Sequence, residues 1–151
     1  VGLKTFTEWE DEYMSPINAR WTLRKCLEHV EHKWLGMRIS VLRSYGVEKH
    51  GKQLIASNSR VVRIIYIGPA NCALCINTAE RWGSPSTFGT GNCRFCPLKI
   101  FGGAGACDAG VRSFIKGNVG PMLRLIKKAK KIVNYRKLTW NGLHKIALKL
   151  T

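Results

Sequence analysis

Apolar residues recur three and four apart from Leu23 through Cys26, Leu27, Val30 and Trp34 to Met37, which makes one stripe along a helix. Upstream, Thr7 with Glu10 three positions later fits a capping box, and Glu8, Glu10, Asp11 and Glu12 suit a helix N-terminus. Ser15-Pro16 reads as a second start, with Ser15 as cap and Pro16 at the first helical position. The pattern predicts a helix from about residue 16 to about residue 45, with a weak point at Gly36 and a stop at Gly46. Arg20, Arg24, Lys33, Arg38 and Arg43 fall off the stripe.

Further along, Gln53 to Ser57 and the β-branched run Val61 to Ile67 predict two short strands around a turn-like Asn58-Ser59. Two strands alone are marginal, so this hairpin has to pack on the helix. Gly120-Pro121 opens a helix of about 16 residues whose apolar arc is Met122, Leu123, Leu125, Ile126, Ala129, Ile132 and Val133. Asn141-Gly142 sets off a last helical piece carrying Leu143, Ile146, Ala147 and Leu150. The expected fold class is α+β: N-terminal helices, a short β-hairpin, a cysteine-knuckle segment and basic C-terminal helices. Residues 1–117 form the first part, with the knuckle at about 68–110, and residues 118–151 form the basic segment.

Composition supports a packed core. The 151 residues are 45% hydrophobic, and no apolar run approaches the roughly 20 residues of a membrane-spanning helix. No basic, apolar leader is visible, so the expected setting is the reducing interior of a cell.

Charge changes the picture more. The formal net charge is +16, and residues 118–151 hold nine Lys and Arg without one Asp or Glu. Such lopsidedness marks an interaction face for a polyanion rather than a uniformly soluble surface. Arg124, Lys127, Lys128, Lys130, Lys131, Arg136 and Lys137 fill the polar side of the helix that opens at Gly120, and they are the expected phosphate contacts. Lysine outnumbers arginine there, which suits backbone attraction better than bidentate base reading. Trp82 and Trp140 are candidates for base stacking, although packing is the more frequent fate of Trp. Two other readings of the basic helix are a solvated face and a helix lying on anionic lipid.

The remaining chemistry is in the cysteines. Cys72-x-x-Cys75 and Cys93-x-x-Cys96 are separated by seventeen residues, and Cys107 follows. Each pair can present two sulfurs about 3.7 Å apart from one tight turn, the edge of a tetrahedral thiolate zinc site. The turn-rich stretch Ser84 to Gly91 between the pairs has little core of its own, so a bound metal would supply its order. The expected structural zinc ligands are Cys72, Cys75, Cys93 and Cys96, with Cys107 as alternate ligand or packed thiol. Disulfides, an iron–sulfur cluster and a redox pair use the same residue types and stay open beside zinc. Cys26, His29 and His32 also share a helix at metal-like spacing, but the plainer reading is a buried thiol with two histidines on a polar face.

Asn71-Cys72-Ala73-Leu74-Cys75, then Cys93-Arg94-Phe95-Cys96-Pro97-Leu98, then a Gly-rich stretch to Cys107, resembles a group of small uncharacterised bacteriophage proteins. Cys26-Leu27-Glu28-His29 matches their upstream helix, and the likeness covers about residues 22–110. The resemblance implies a phage-encoded, intracellular, metal-binding protein and no particular activity. The long insert between knuckles and the basic C-terminus depart from that group.

Catalytic chemistry is thinly provided. Only Glu80 and Asp108 are acids near the knuckles, and four thiolates would close a zinc ion to substrate. The deaminase His-x-Glu, a nucleophile elbow and the Gly-Lys-Ser/Thr of a phosphate loop are all missing. The expectation is therefore a non-catalytic protein that binds DNA or RNA mainly through phosphates, located in the host cytoplasm or associated with the virion. The competing expectation is an effector or virion component whose basic face docks on an acidic host or virion protein.

Overall fold

The computed structural model describes residues 5–56, 64–84 and 91–150. They form eight α-helices and a three-stranded antiparallel sheet, an α+β arrangement. The first helix, α1 (Phe6–Tyr13), is capped by Thr5, whose hydroxyl accepts from the Glu8 amide, so the cap lies two residues before the expected Thr7. Trp9 is fully buried, and its indole N–H donates to the Gly36 carbonyl at 2.9 Å.

Helix α2 (Leu23–Leu35) starts seven residues later than Ser15-Pro16 suggests. Ser15 and Pro16 carry start signals, but no apolar stripe follows them until Leu23. Asn18 instead turns the chain by accepting from the Arg20 amide, and Thr22 caps the helix by accepting from the Lys25 amide. The break expected at Gly36 is present. A Cβ there would lie 2.3 Å from the Tyr13 ring, so only glycine admits this approach of α1. Helix α3 (Ile39–Ser44) follows.

The sheet has one strand more than expected. Strands β1 (Val47–His50), β2 (Gln53–Ala56) and β3 (Ile64–Tyr66) run as a meander, with Val47 opposite Ala56 and Gln53 opposite Tyr66. Glu48, Lys49 and His50 hid β1 among polar residues. A two-residue turn makes its hairpin, with Gly51 at φ +61°, a backbone region that favours glycine. The expected turn at Asn58-Ser59 and the first part of the Val61–Ile67 run lie outside the described residues.

The rest is helical: α4 (Ala73–Trp82), α5 (Pro97–Gly102), α6 (Ala106–Ile115), α7 (Gly120–Arg136) and α8 (Trp140–Leu148), with short 3-10 turns at Pro69–Asn71 and Cys93–Phe95. Helix α7 packs against α2, α5 and α6, and α2 packs in turn on α4 and α1. Its Met122, Ile126, Ala129 and Val133 share one hydrophobic cluster with Leu23, Leu27 and Val30 of α2. The boundary at 117/118 is thus a shift in charge and not a gap in packing. Lys49 ties the sheet to this bundle by donating to the Phe114 and Ile115 carbonyls at 2.9 and 2.7 Å, where the end of α6 favours a cation. Helix α7 ends at Lys137, which takes a left-handed conformation, and Thr139 caps α8. Asn141 and Gly142 lie inside α8 rather than before it.

Candidate functional site

The cysteines are delivered by helix starts. Cys72 is the N-cap of α4, Cys96 is the N-cap of α5, and Cys107 lies in the first turn of α6. At such positions backbone N–H groups point at the sulfur and favour a thiolate. The amides of Leu74 and Cys75 act to lower the Cys72 pKa, and those of Leu98 and Lys99 act on Cys96 in the same direction, although neither sulfur makes a capping hydrogen bond. Two contacts draw the second knuckle onto the first. The Asn92 amide donates to the Thr78 hydroxyl of α4 at 3.0 Å. Gly91 sits so close to Cys75 that a Cβ would fall 2.4 Å from the Cys75 Cα.

The thiols sense one another. Cys75 donates its S–H to Cys72, which lowers the Cys72 pKa and raises that of Cys75. Burial raises Cys96, with Cys72 and Cys107 adding to the effect. Burial also pushes Cys107 up to about 12, with Cys72 and Cys93 contributing. Of the five, Cys93 is the exposed one. Among the described residues, no three His, Cys, Asp or Glu side chains are arranged as they would be around a metal ion. The expected ligands Cys72, Cys75, Cys93 and Cys96, and the alternate Cys107, lie near enough to shift one another's pKa values, without the geometry of a metal cluster.

Lys33 is the neighbour that helical periodicity misplaced. It falls off the apolar stripe, yet it is 1% exposed, and its ammonium donates to the Asn71 carbonyl at 2.9 Å, one residue before Cys72. Its positive charge is a further cause of the lowered Cys72 pKa. A buried ammonium needs an anion nearby, and thiolate is the chemistry this neighbourhood offers. The other metal-like spacing has a plainer explanation. Cys26 is fully buried, His29 Nε2 pairs with the Ser15 carbonyl at 2.9 Å, and His32 Nε2 pairs with Glu12 at 3.0 Å.

On the far side of α7, Arg124, Lys127, Lys128, Lys131, Arg136 and Lys137 are exposed, and none forms an ion pair among the described residues. Lys130 departs from the expectation. It is partly buried and bridges Glu31 of α2 at 2.9 Å, because the packing of α7 on α2 turns it inward.

The two tryptophans named as stacking candidates are packed instead. Trp140 is 5% exposed and donates to the Trp21 carbonyl, while Trp82 stacks on His144 with ring centroids 5.0 Å apart. Both hold α8 to the body. The exposed aromatic on the basic face is Tyr135, at 89% exposure. It lies on one helical row with Arg124, Lys128 and Lys131, spaced four, three and four. Spacing alone could have flagged it, since Tyr135 breaks the polar row of an otherwise cationic face.

No helix among the described residues is long and apolar enough to cross a membrane. No family model, curated protein or solved structure matches the chain.

Proposed function

We propose that this protein binds nucleic acid without sequence preference through the outer face of α7, and that its cysteine knuckle is a structural zinc site that holds the scaffold. The observation that carries the first part is the solvent row of α7, in which Arg124, Lys128 and Lys131 lead to the open ring of Tyr135. No carboxylate in residues 118–151 offsets that charge. Lysine and arginine supply phosphate attraction through counterion release, and an exposed tyrosine offers a flat face for a base. The proposal includes no catalytic step.

For the second part, Cys72, Cys75, Cys93 and Cys96 would hold the ion, with Cys107 as alternate. Support comes from the place of Cys72 and Cys96 at helix starts, which favours thiolate, and from the buried ammonium of Lys33. Zinc there supplies folding free energy and no Lewis-acid chemistry. The phage origin rests on the resemblance in cysteine spacing and in Cys26-Leu27-Glu28-His29 alone.

Binding of single-stranded and duplex nucleic acids, measured by fluorescence anisotropy across salt concentrations, tests the interface. Replacing Lys127, Lys128 and Lys131 by Ala should reduce the slope of log affinity against log salt by about 3. Absence of any binding at low salt defeats this reading, and retention of acidic proteins in its place favours an effector that docks on an acidic partner. Elemental analysis of the purified protein should find about one zinc per chain.

A further inference from the structure

A second cationic surface lies away from the outer face of α7. The starts of α2 and α8 and the side of α4 enclose a cleft of about 460 Å3. Arg20, Arg24 and Arg81 line it together with Thr22, Thr139 and Trp140, and no Asp or Glu is among its lining residues. Arg81 forms a fixed positive floor. Its guanidinium donates to the Trp21 carbonyl and to Asn77 Oδ1, both at 3.0 Å, and lies 5.1 Å from the centre of the Trp140 ring. All of these partners are neutral, and Arg81 forms no ion pair among the described residues. Arg20 and Arg24 are exposed, and among the described residues the carboxylate that pairs with either is Glu28, 3.9 Å from Arg24 and half exposed. Such a pair is weak.

Position gives the cleft its partner. Its far wall is Leu138–Asn141, which directly follows Arg136 and Lys137 at the tip of α7. The cleft thus begins where the chain leaves the cationic helix. The Trp140 ring is too deeply packed to accept a base, so the ligand is an anionic group rather than a flat one. Arginine forks match phosphate oxygens, and the first-turn amides of α2 and α8 add to the same preference.

We infer that this cleft binds a backbone phosphate of the same nucleic-acid strand that α7 holds, so that the binding path wraps from α7 to the start of α2. The inference rests on the nucleic-acid reading above.

The test compares full-length protein with Arg20→Ala/Arg24→Ala, leaving Arg81 in place because it anchors the loop before α2. Binding of a long single-stranded oligonucleotide is measured across salt, with folding checked by circular dichroism. The expected result is a salt slope smaller by about 0.7, the increment for one phosphate of a single strand. Hydrogen exchange on the wild-type complex supplies a readout that needs no variant. Amides at residues 23–24 and 140–141 should gain protection when the oligonucleotide binds.

An unchanged slope in a folded variant, or unprotected amides in the bound wild type, overturns the cleft while leaving α7 as the interface. The same slope loss with polyglutamate as probe assigns the cleft to carboxylates and overturns it as a phosphate site. Failure of the wild type to bind any nucleic acid removes both readings together.

Discussion

Lys33 and Cys26 sit on the same helix and are both sealed from solvent, yet they answer to opposite electrostatics. Lys33 keeps its ammonium beside the Cys72 knuckle, where a carbonyl and thiolate chemistry can hold it. Replacing it by Met removes the charge with little change of volume. Zinc affinity, measured in competition with a chromophoric chelator, should then fall by about 10- to 100-fold, as it does when partners behind the ligands are lost. Unchanged affinity would reduce Lys33 to a packing role. Cys26 is the reverse case, a thiol whose pKa burial pushes up to about 12 against a small opposing pull from Arg81. Unfolded, the same thiol titrates near 9. Between those values the unfolded chain has released a proton that the folded chain still holds, so stability falls as pH rises through that window. Urea midpoints at about pH 8 and about pH 10 should show this loss, and Cys26→Ala should lessen it.

Among the elements, α2 takes its start from a single side chain. Thr22 accepts from the Lys25 amide, and the extended loop before it is held by Asn18, by the Ser15 carbonyl on His29 and by Arg81. Thr22→Ala should lower stability by about 1 kcal/mol, read as a reduced thermal midpoint. Helix α7 shows how one element divides its work. Met122, Ile126, Ala129 and Val133 face the core, Lys130 meets Glu31 at the edge, and the remaining cations face water. Its amphipathic pattern and its extent were legible from Gly120 onward. Its inward lysine was not, because a residue at the border of the polar arc is turned in or out by the neighbouring helix. Strand β1 was hidden for a related reason: three of its four residues are polar, and only its pairing with β2 makes it a strand.

At the scale of the molecule, one core joins the N-terminal helices, the knuckle helices and α7. Cys96 belongs to that cluster, and Cys72 and Cys107 pack against it. A metal at the knuckle is therefore linked to the whole fold and not to a detachable finger. Chelating zinc from the loaded protein should lower the midpoint of a single cooperative thermal transition, followed by tryptophan fluorescence. A transition that keeps its midpoint after the metal is removed would defeat the structural role.

The order of residues by itself determined the helical and extended periods, the break at Gly36, the spacing of the cysteine pairs and the concentration of positive charge after residue 117. These follow from local geometry and counting, which need no partner across the chain. Only the tertiary structure decided that α2 begins at Thr22, that Lys33 is buried beside Cys72 while Lys130 pairs with Glu31, and that Trp82 and Trp140 pack while Tyr135 stands open. It also set Arg20 and Arg24 beside the turn that follows α7, more than a hundred residues away in sequence. Burial, ion pairing and the sharing of a cleft depend on what lies across the fold from a residue, and neighbours along the chain do not specify that.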